Sequence, residues 1–330
     1  MWYTKFGPSG DIVLSSRVRL ARNIRNIPFG TKMSEKDQFM VMEKTRAALP
    51  DMTFIDFSAM SPVERQALSE CHLTSPDMIE NKKKCGILTN SDCTECIMLN
   101  EEDHIRIQAM TPGFDLDLCF EKANRLDDLL EKSVDFGFHP TFGYLTCCPT
   151  NVGTGMRASV MMHLPALTEL GRMEGIIRSL SKLGITVRGL YGEGSRAYGN
   201  IYQISNQVTL GSSEEEILEK LSRLVNDIIE KEREAGRSLY SRNKFHFEDK
   251  IMRSYGILTN ARILSSKEAM NLFSDVRWGI NLGIIKNINL ESLSKVFYDT
   301  LPATLVKNHN ISTALERDLK RAELICENLK

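Results

Sequence analysis

Long apolar runs are missing from this sequence, so no segment reads as a membrane-spanning helix. An excess of charge of either sign is missing too: 42 Lys and Arg stand against 43 Asp and Glu, a net charge of −1. That balance argues against bulk binding of nucleic acid or of an acidic membrane. The opening residues, MWYTKFGPSGDIVLSSR, do not follow the basic, apolar, small-residue order of a secretory signal, so the cytoplasm is the expected compartment. Internal repeats and low-complexity tracts are absent. The eight cysteines follow no regular framework, which favours reduced thiols over a disulfide scaffold. Cys93 and Cys96 form a C-x-x-C without a second close pair to complete a zinc site. Two thiols beside a strand are the expectation there, and no metal centre is assigned.

What is present is a chain of 330 residues, 42% hydrophobic and 26% charged, ordinary for a folded protein and long enough for two domains. Helical patterns cover 34–48 and 61–71. Short strands are expected at 86–90, 96–99 and 105–110. A long amphipathic helix over 116–136 ends at Gly137. Strand-like runs at 144–147 and 158–164 flank a loop with Gly153 and Gly155. A helix over 167–183 stops at Gly184, strands follow at 185–188 and 200–205, and a charged helix over 213–233 starts with Ser213 and Glu216. Beyond Gly236 only helical patterns remain, at 249–258, 266–274, 290–300 and 313–329, with Ser265 to Glu268 a plausible helix start. The expectation is an α+β unit over 1–240, an antiparallel sheet flanked by helices, followed by a small all-helical domain over 241–330.

Five stretches carry chemistry: SSRVR at 15–19, NEEDHIR at 100–106, CPTNVGTG at 148–155, RAS at 157–159 and RGLYGE at 188–193. Arg17 and Arg19 alternate along a strand and share a face. Each arginine taken singly could be a surface ion pair. Five of them, each inside a glycine- or carboxylate-bearing motif, suit polyphosphate, because each guanidinium offers a fixed fork of donors. The 148–155 loop lacks the Gly-Lys-Ser/Thr ending of a P-loop, yet its glycines permit close backbone approach to a ligand. Cys148 among arginines is expected to act as a thiolate, against the commoner fate of a small buried hydrophobe. Glu101, Glu102 and Asp103, and separately Glu193, could be solvated turns. Beside a nucleotide site they could instead hold a cationic acceptor.

SSRVRLARN, NEEDHIRIQ, CPTNVGTGMRASV, RGLYGE and IYQISN together closely resemble the signatures of the phosphagen kinases, the creatine and arginine kinase family, over about residues 10–235 and in the family's order. The resemblance implies an antiparallel sheet related to that of glutamine synthetase, and ATP with Mg²⁺. It implies that Arg17, Arg19, Arg106, Arg157 and Arg188 bind the ATP phosphates. Ser15, Ser16, Val18, His72, Ala158, Ser159, Val160, Met161, Gly189, Leu190, Tyr191 and Gly192 complete the expected nucleotide site. Glu102 and Glu193 match the carboxylates that hold the acceptor guanidine, with Glu102 the general base, and Cys148 matches the active-site cysteine. Met161 stands where the animal enzymes have histidine, and YQISN replaces YDISN.

Small-molecule members of the family carry a helical domain with a substrate-covering loop before the first motif. Here 14 residues precede Ser15, so an open site admitting an arginine on a protein surface is expected. The helical C-terminal region holds Arg317, Asp318, Arg321 and Ala322, which resemble the RDxxRA motif of the family's bacterial members that phosphorylate protein arginine. Arg317 and Arg321 share a helix face and would grip phosphoarginine, or they are an ordinary charged face. The implied partners are arginine-bearing proteins that include stress-regulon repressors, a zinc-binding activator protein, a Clp unfoldase–protease and a second copy of the chain. A free-arginine kinase and a non-catalytic phosphoarginine adaptor are the competing functions.

Overall fold

The structure is a computed structural model that describes residues 1–80, 84–189 and 197–330. In chain order its strands are β1 (Val13–Arg22), β2 (Thr53–Asp56), β3 (Gly86–Thr89), β4 (Glu95–Leu99), β5 (Ile105–Pro112), β6 (Phe138–His139), β7 (Gly143–Tyr144), β8 (Met156–His163), β9 (Ile185–Gly189) and β10 (Ile201–Asn206). Its helices are α1 (Glu35–Ala48), α2 (Pro62–Glu70), α3 (Pro76–Ile79), α4 (Leu116–Glu131), α5 (Pro165–Glu169), α6 (Met173–Lys182), α7 (Glu214–Arg242), α8 (Lys244–Asn260), α9 (Ser266–Asn281), α10 (Leu290–Asp299), α11 (Pro302–His309) and α12 (Ala314–Leu329).

Eight strands form one antiparallel sheet in the order β2-β3-β4-β5-β1-β8-β10-β9. The central strand β1 pairs with β5 on one side and β8 on the other. Alternation then sorts the side chains. Val18 and Leu20 of β1, Ala158, Val160 and Met162 of β8, and Ile107 and Ala109 of β5 are buried on one face, where α4 and α7 cover them. Arg17, Arg19, Arg106 and Arg157 are on the other. A slip of one residue would exchange the two sets, so the apolar face alone specifies where the guanidiniums point.

Helix starts follow local chemistry. Ser34, Ser61, Ser213 and Thr313 each accept a backbone N–H three residues on, and Asp37, Glu64, Glu216 and Glu316 reach back to complete capping boxes. Ser265 accepts from the Glu268 N–H and so starts α9.

Several boundaries differ from expectation. The 167–183 helix is two helices, α5 and α6, separated by Gly171 at φ +67. The 144–147 strand is the two-residue β7 only. α4 stops at Glu131, and Phe136 lies beyond it. The strand β2 and the helix α11 carried no pattern strong enough to be read. α7 does not end at Arg233. Its 29 residues continue to Arg242, so residue 240 lies inside a helix. The helical C-terminal region also shares one core with the sheet: Phe247, Ile251 and Trp278 belong to the same buried cluster as Ala166, Ala235 and the sheet residues. Arg277, buried in α9, donates to the Gly10 carbonyl at 2.6 Å.

Candidate active site

A cleft of about 880 Å³ opens over the polar face of the sheet. Arg17, Arg19, Arg106, Arg157 and Arg188 all line it, with Glu101, Glu102, His72 and Cys148. The register orders them along the strands. Arg106 sits opposite Ala21, Arg19 opposite Arg157, and Arg17 opposite Ser159. Gln203 of β10 is opposite both Met161 and Arg188. One end of the cleft is thus marked by Arg106 and the other by Gln203 and Arg188.

The NEEDH segment is a compact turn in which each residue has a distinct task. Asn100, at φ +59, donates to the Gln38 and Lys84 carbonyls. Glu101, fully buried, accepts from Arg106 Nη1 at 2.6 Å. Asp103 accepts from Asn23 Nδ2 and from the Cys147 N–H, both at 2.7 Å, so the first and third motifs are held together. His104 Nδ1 accepts from the Ile24 N–H, which leaves Nε2 to donate to the Pro28 carbonyl. Glu102 is the carboxylate of the run that opens to solvent, 40% exposed, with Arg106 Nη2 at 3.1 Å. Burial raises its pKa, and Arg106 opposes that rise. The family resemblance assigns Glu102 as the base and gives no such role to Glu101. Its burial is a tertiary property that no motif announces.

The guanidiniums repel one another. Burial first, then Arg157, lowers Arg17 to about 10. Burial and Arg17 push Arg19 well below its ordinary value, and burial with Arg188 and Arg106 lowers Arg157. The Nε atoms of Arg19 and Arg157 are buried without a partner among the described residues. Arg17, Arg19 and Arg157 are in no salt bridge among the described residues, and a polyanion in the cleft would supply both charge and acceptors. His72, at φ +60, faces Trp2 and Tyr298 and is driven down to about 3 by burial and by Arg17 and Arg19, so its imidazole is neutral at physiological pH.

The 148–155 loop is positioned by glycine. At Gly153, φ +117, a Cβ would lie 2.2 Å from the Thr209 carbonyl oxygen. Cys148 Sγ is 3.0 Å from Thr150 Oγ1 at the cleft wall. Behind the loop, Arg22 holds Asp127 through Nε and Nη2, donates to the Ala21 and Thr154 carbonyls, and stacks 3.4 Å above the Tyr144 ring.

Some expected site residues lie elsewhere. Val18, Ala158 and Val160 point into the α4/α7 core, because they alternate with the arginines. Ser16 also faces that side, where its hydroxyl donates to the Gly113 carbonyl and accepts from the Asp115 N–H. Ser15 is buried opposite Met161. Met161 joins a small apolar cluster with Met110 and Leu301, and Ser159 Oγ accepts from Arg17 Nε at 3.4 Å. Gly189 ends β9. Leu190, Tyr191, Gly192 and Glu193 lie outside the described residues. Cys96 Sγ donates to the Leu73 carbonyl. Among the described residues no group of three or more His, Cys, Asp or Glu gathers to hold a metal.

Arg321 is 1% exposed and does not stand on a solvated face. Nε donates to the Thr300 carbonyl, and Nη1 donates to the Leu264 carbonyl and to Asp318. Its Nη2 is buried without a partner among the described residues. Arg317 is 30% exposed beside Asp318. Ala322 is fully buried in the core.

Several cleft residues that sequence motifs did not point to come from the helical region. Lys267 and Met270 of α9, with Leu301 and Pro302 at the start of α11, form part of the cleft wall. Glu70 of α2 accepts the Ala303 and Thr304 N–H groups at 2.8 Å and so pins α11 against the cleft.

Comparison with known proteins agrees with this geometry. Residues 33–235 match the model of the ATP:guanido phosphotransferase C-terminal catalytic domain, and residues 230–330 match that of the protein-arginine kinase McsB C-terminal domain. The protein-arginine kinase of Caldanaerobacter subterraneus subsp. tengcongensis is 47% identical over 97% of both chains. That of Bacillus subtilis is 44% identical over 99% of this chain and 93% of its own. Among solved structures, the duplicated taurocyamine kinase of Schistosoma mansoni aligns over 70% of this chain at 29% identity and TM-score 0.62, and the chain spans about a third (35%) of it. Lombricine kinase aligns over 70% of each chain at 27% identity and TM-score 0.60. The chain belongs to the ATP:guanido phosphotransferase family and, along nearly its whole length, to the protein-arginine kinases within it.

Proposed function

We propose that this chain transfers the γ-phosphoryl group of ATP to arginine side chains of proteins. The observation that carries this reading is the single cleft in which five arginines share one sheet face and Glu102 and Cys148 stand at the Arg106 end. The guanidiniums take the phosphate oxygens, and the Nε donors of Arg19 and Arg157, which have no partner among the described residues, fit that role. Mg²⁺ would be held by the ATP phosphates and water rather than by a protein cage, and when bound it neutralises charge on the transferring group.

Arginine is a poor nucleophile. With a pKa of about 12.5–13.8, roughly one side chain in a million is neutral at pH 7, a cost on the order of 8 kcal/mol. Deprotonation must therefore accompany attack. Glu102 takes the proton as the arginine nitrogen bonds to the γ-phosphorus and the bond to the ADP oxygen breaks. Arg106, held on its far side by Glu101, keeps Glu102 oriented without neutralising both of its oxygens. Glu193 holds the remaining guanidinium nitrogens, and Cys148 orients the acceptor. Alignment of the reactants can contribute about 7–11 kcal/mol. The product is an acid-labile phosphoramidate.

The resemblance also supports a role in marking proteins for a Clp unfoldase–protease, control of stress-regulon repressors, dependence on a zinc-binding activator and a homodimer. Arg317, Asp318 and Arg321 are proposed as a second phosphoarginine site, with Arg321 Nη2, which has no partner among the described residues, as its inner donor. No helix among the described residues is long and apolar enough to cross a membrane.

The test is purified protein with MgATP and β-casein, read by mass spectrometry without acid. Phosphate on casein arginine, absent from Glu102→Gln, is expected. Phosphate only on added free arginine would overturn the protein-substrate reading, and ATP binding without transfer, even with the activator present, would leave an adaptor.

A further inference from the structure

The wall of the cleft opposite the Glu102 end is not built by the phosphotransferase segment alone. α9 lies outside residues 33–235. Its residues 267, 270, 271 and 274 recur at helical spacing and meet the segment Tyr198–Asn200 just before β10. Asn271 Oδ1 accepts from the Gly199 N–H at 3.1 Å, and Ser274 Oγ accepts from Asn200 Nδ2 at 2.8 Å. This docking seats Lys267 and Met270 in the cleft beside Gln203 and Arg188. The Lys267 ammonium lies 4.6 Å from the centroid of the Tyr198 ring. The lysine salt bridges among the described residues engage Lys5, Lys84, Lys244, Lys250, Lys295 and Lys320, and Lys267 is in none of them. A ring face attracts the cation without neutralising it, and an ammonium group has three donors to place. Lys267 therefore adds positive charge to a cleft in which Arg106 is paired with carboxylates but Arg17, Arg19 and Arg157 are in no salt bridge among the described residues.

The position along the strands selects the ligand part. Tyr198 precedes β10, whose first residue, Ile201, is opposite His163 at the far end of β8 from Arg157. From the level of Ala21, which faces Arg106, to that of Ser15, which faces Met161, is six residues of β1, roughly 20 Å. A phosphoryl group transferred beside Glu102 thus leaves the rest of the nucleotide pointing towards Lys267.

We propose that Lys267 is a nucleotide-binding residue, whose ammonium takes an ATP phosphate oxygen on the nucleoside side of the arginine cluster while Met270 packs beside the nucleoside. The inference rests on the reading of the cleft as an ATP site. It makes the helical region a direct part of that site.

Equilibrium binding of MgATP and of inorganic tripolyphosphate to the full chain tests it. Lys267→Ala is expected to weaken both by roughly tenfold to a hundredfold, the loss of one hydrogen bond to a charged group. Lys267→Arg keeps the cation and is expected to stay within a few-fold of wild type. Met270→Ala should weaken MgATP and leave tripolyphosphate unchanged. Thermal melting of each variant separates a binding loss from a folding loss, and if Lys267→Ala melts early, Lys267→Gln replaces it. Unchanged affinity of a folded Lys267 variant for both ligands would overturn the proposal. Weakened MgATP with unchanged tripolyphosphate would overturn the phosphate contact. Wild-type protein that binds no MgATP would instead remove the ATP-site reading itself.

Discussion

Replacing Glu102 by Gln separates chemistry from binding, because Glu101 and Glu102 divide the work of one arginine. Arg106 Nη1 is held by the buried Glu101 at 2.6 Å and Nη2 by Glu102 at 3.1 Å. Glutamine at 102 can still accept from Nη2, and the stronger bond to Glu101 is untouched. Arg106 should therefore keep its place, and the affinity for MgATP should change by less than about threefold. The partly exposed pair contributes less than about 1 kcal/mol to folding, so melting should be nearly unchanged. The proton acceptor, however, is gone. A positioned general base contributes about 10²–10⁴ in rate, or about 3–5 kcal/mol of barrier. Single-turnover transfer to casein arginine should fall by about a thousandfold with ATP saturating. The contrast is Glu101→Gln, which removes the closest and fully buried carboxylate from Arg106 and leaves Glu102 at 3.1 Å and Asp103 at 3.8 Å. It should cost about 1.5–3 kcal/mol of stability and weaken ATP binding as well. Transfer by Glu102→Gln within tenfold of wild type would refute the base assignment. Equal loss of ATP affinity in both variants would refute the division of roles.

Three further outcomes follow from the geometry. Cys148→Ser should slow transfer less than Glu102→Gln does, and an unchanged rate would reduce Cys148 to a packing residue. Arg22→Ala leaves Asp127 buried without its cation and should destabilise the chain by about 3–5 kcal/mol, read as a lower midpoint in urea. Glu232, buried in α7 where it accepts the Ala166 and Leu167 N–H groups, is raised by burial to about 7. A raised folded-state pKa means stability present below the unfolded value and lost as pH rises through about 7. Between about pH 4.5 and 7 the wild type should therefore lose up to about 3 kcal/mol relative to Glu232→Gln, and parallel pH profiles of the two would contradict this.

The chemistry was legible in the sequence wherever function demanded a residue type at a fixed place on a strand. Arg17 and Arg19 two residues apart, and Arg157 before the alternating apolar run, announce one polar face. The same alternation argues against Val18, Ala158 and Val160 as ligands, since a strand cannot send neighbours to the same side. Helix starts were legible through caps such as Ser213 with Glu216. Less was visible where a glycine interrupts a helical pattern, as at Gly171, or where burial decides a role. Glu101 and Glu102 are identical in type and adjacent, and only the packing of Arg106 distinguishes them. Arg321 sits in a charged motif yet lies inside the protein, bound to two carbonyls. Lys267 and Met270 carry no signature, because their place in the cleft depends on how α9 docks against Tyr198–Asn200.

The shared core limits how this enzyme can be divided. Residues 33–235, the segment that matches the phosphotransferase model, omit β1, and with it the middle of the sheet, Arg17 and Arg19. A fragment cut at those limits would leave β5 and β8 as new open edges facing each other across a missing strand. Extending the fragment to the N-terminus restores β1 but still cuts α7 before its end and strips α8 and α9 from Ala166 and Ala235. The smallest piece able to display the site is therefore close to the full chain. Exchange of whole helical regions between relatives should succeed only when the residues beneath them are exchanged too.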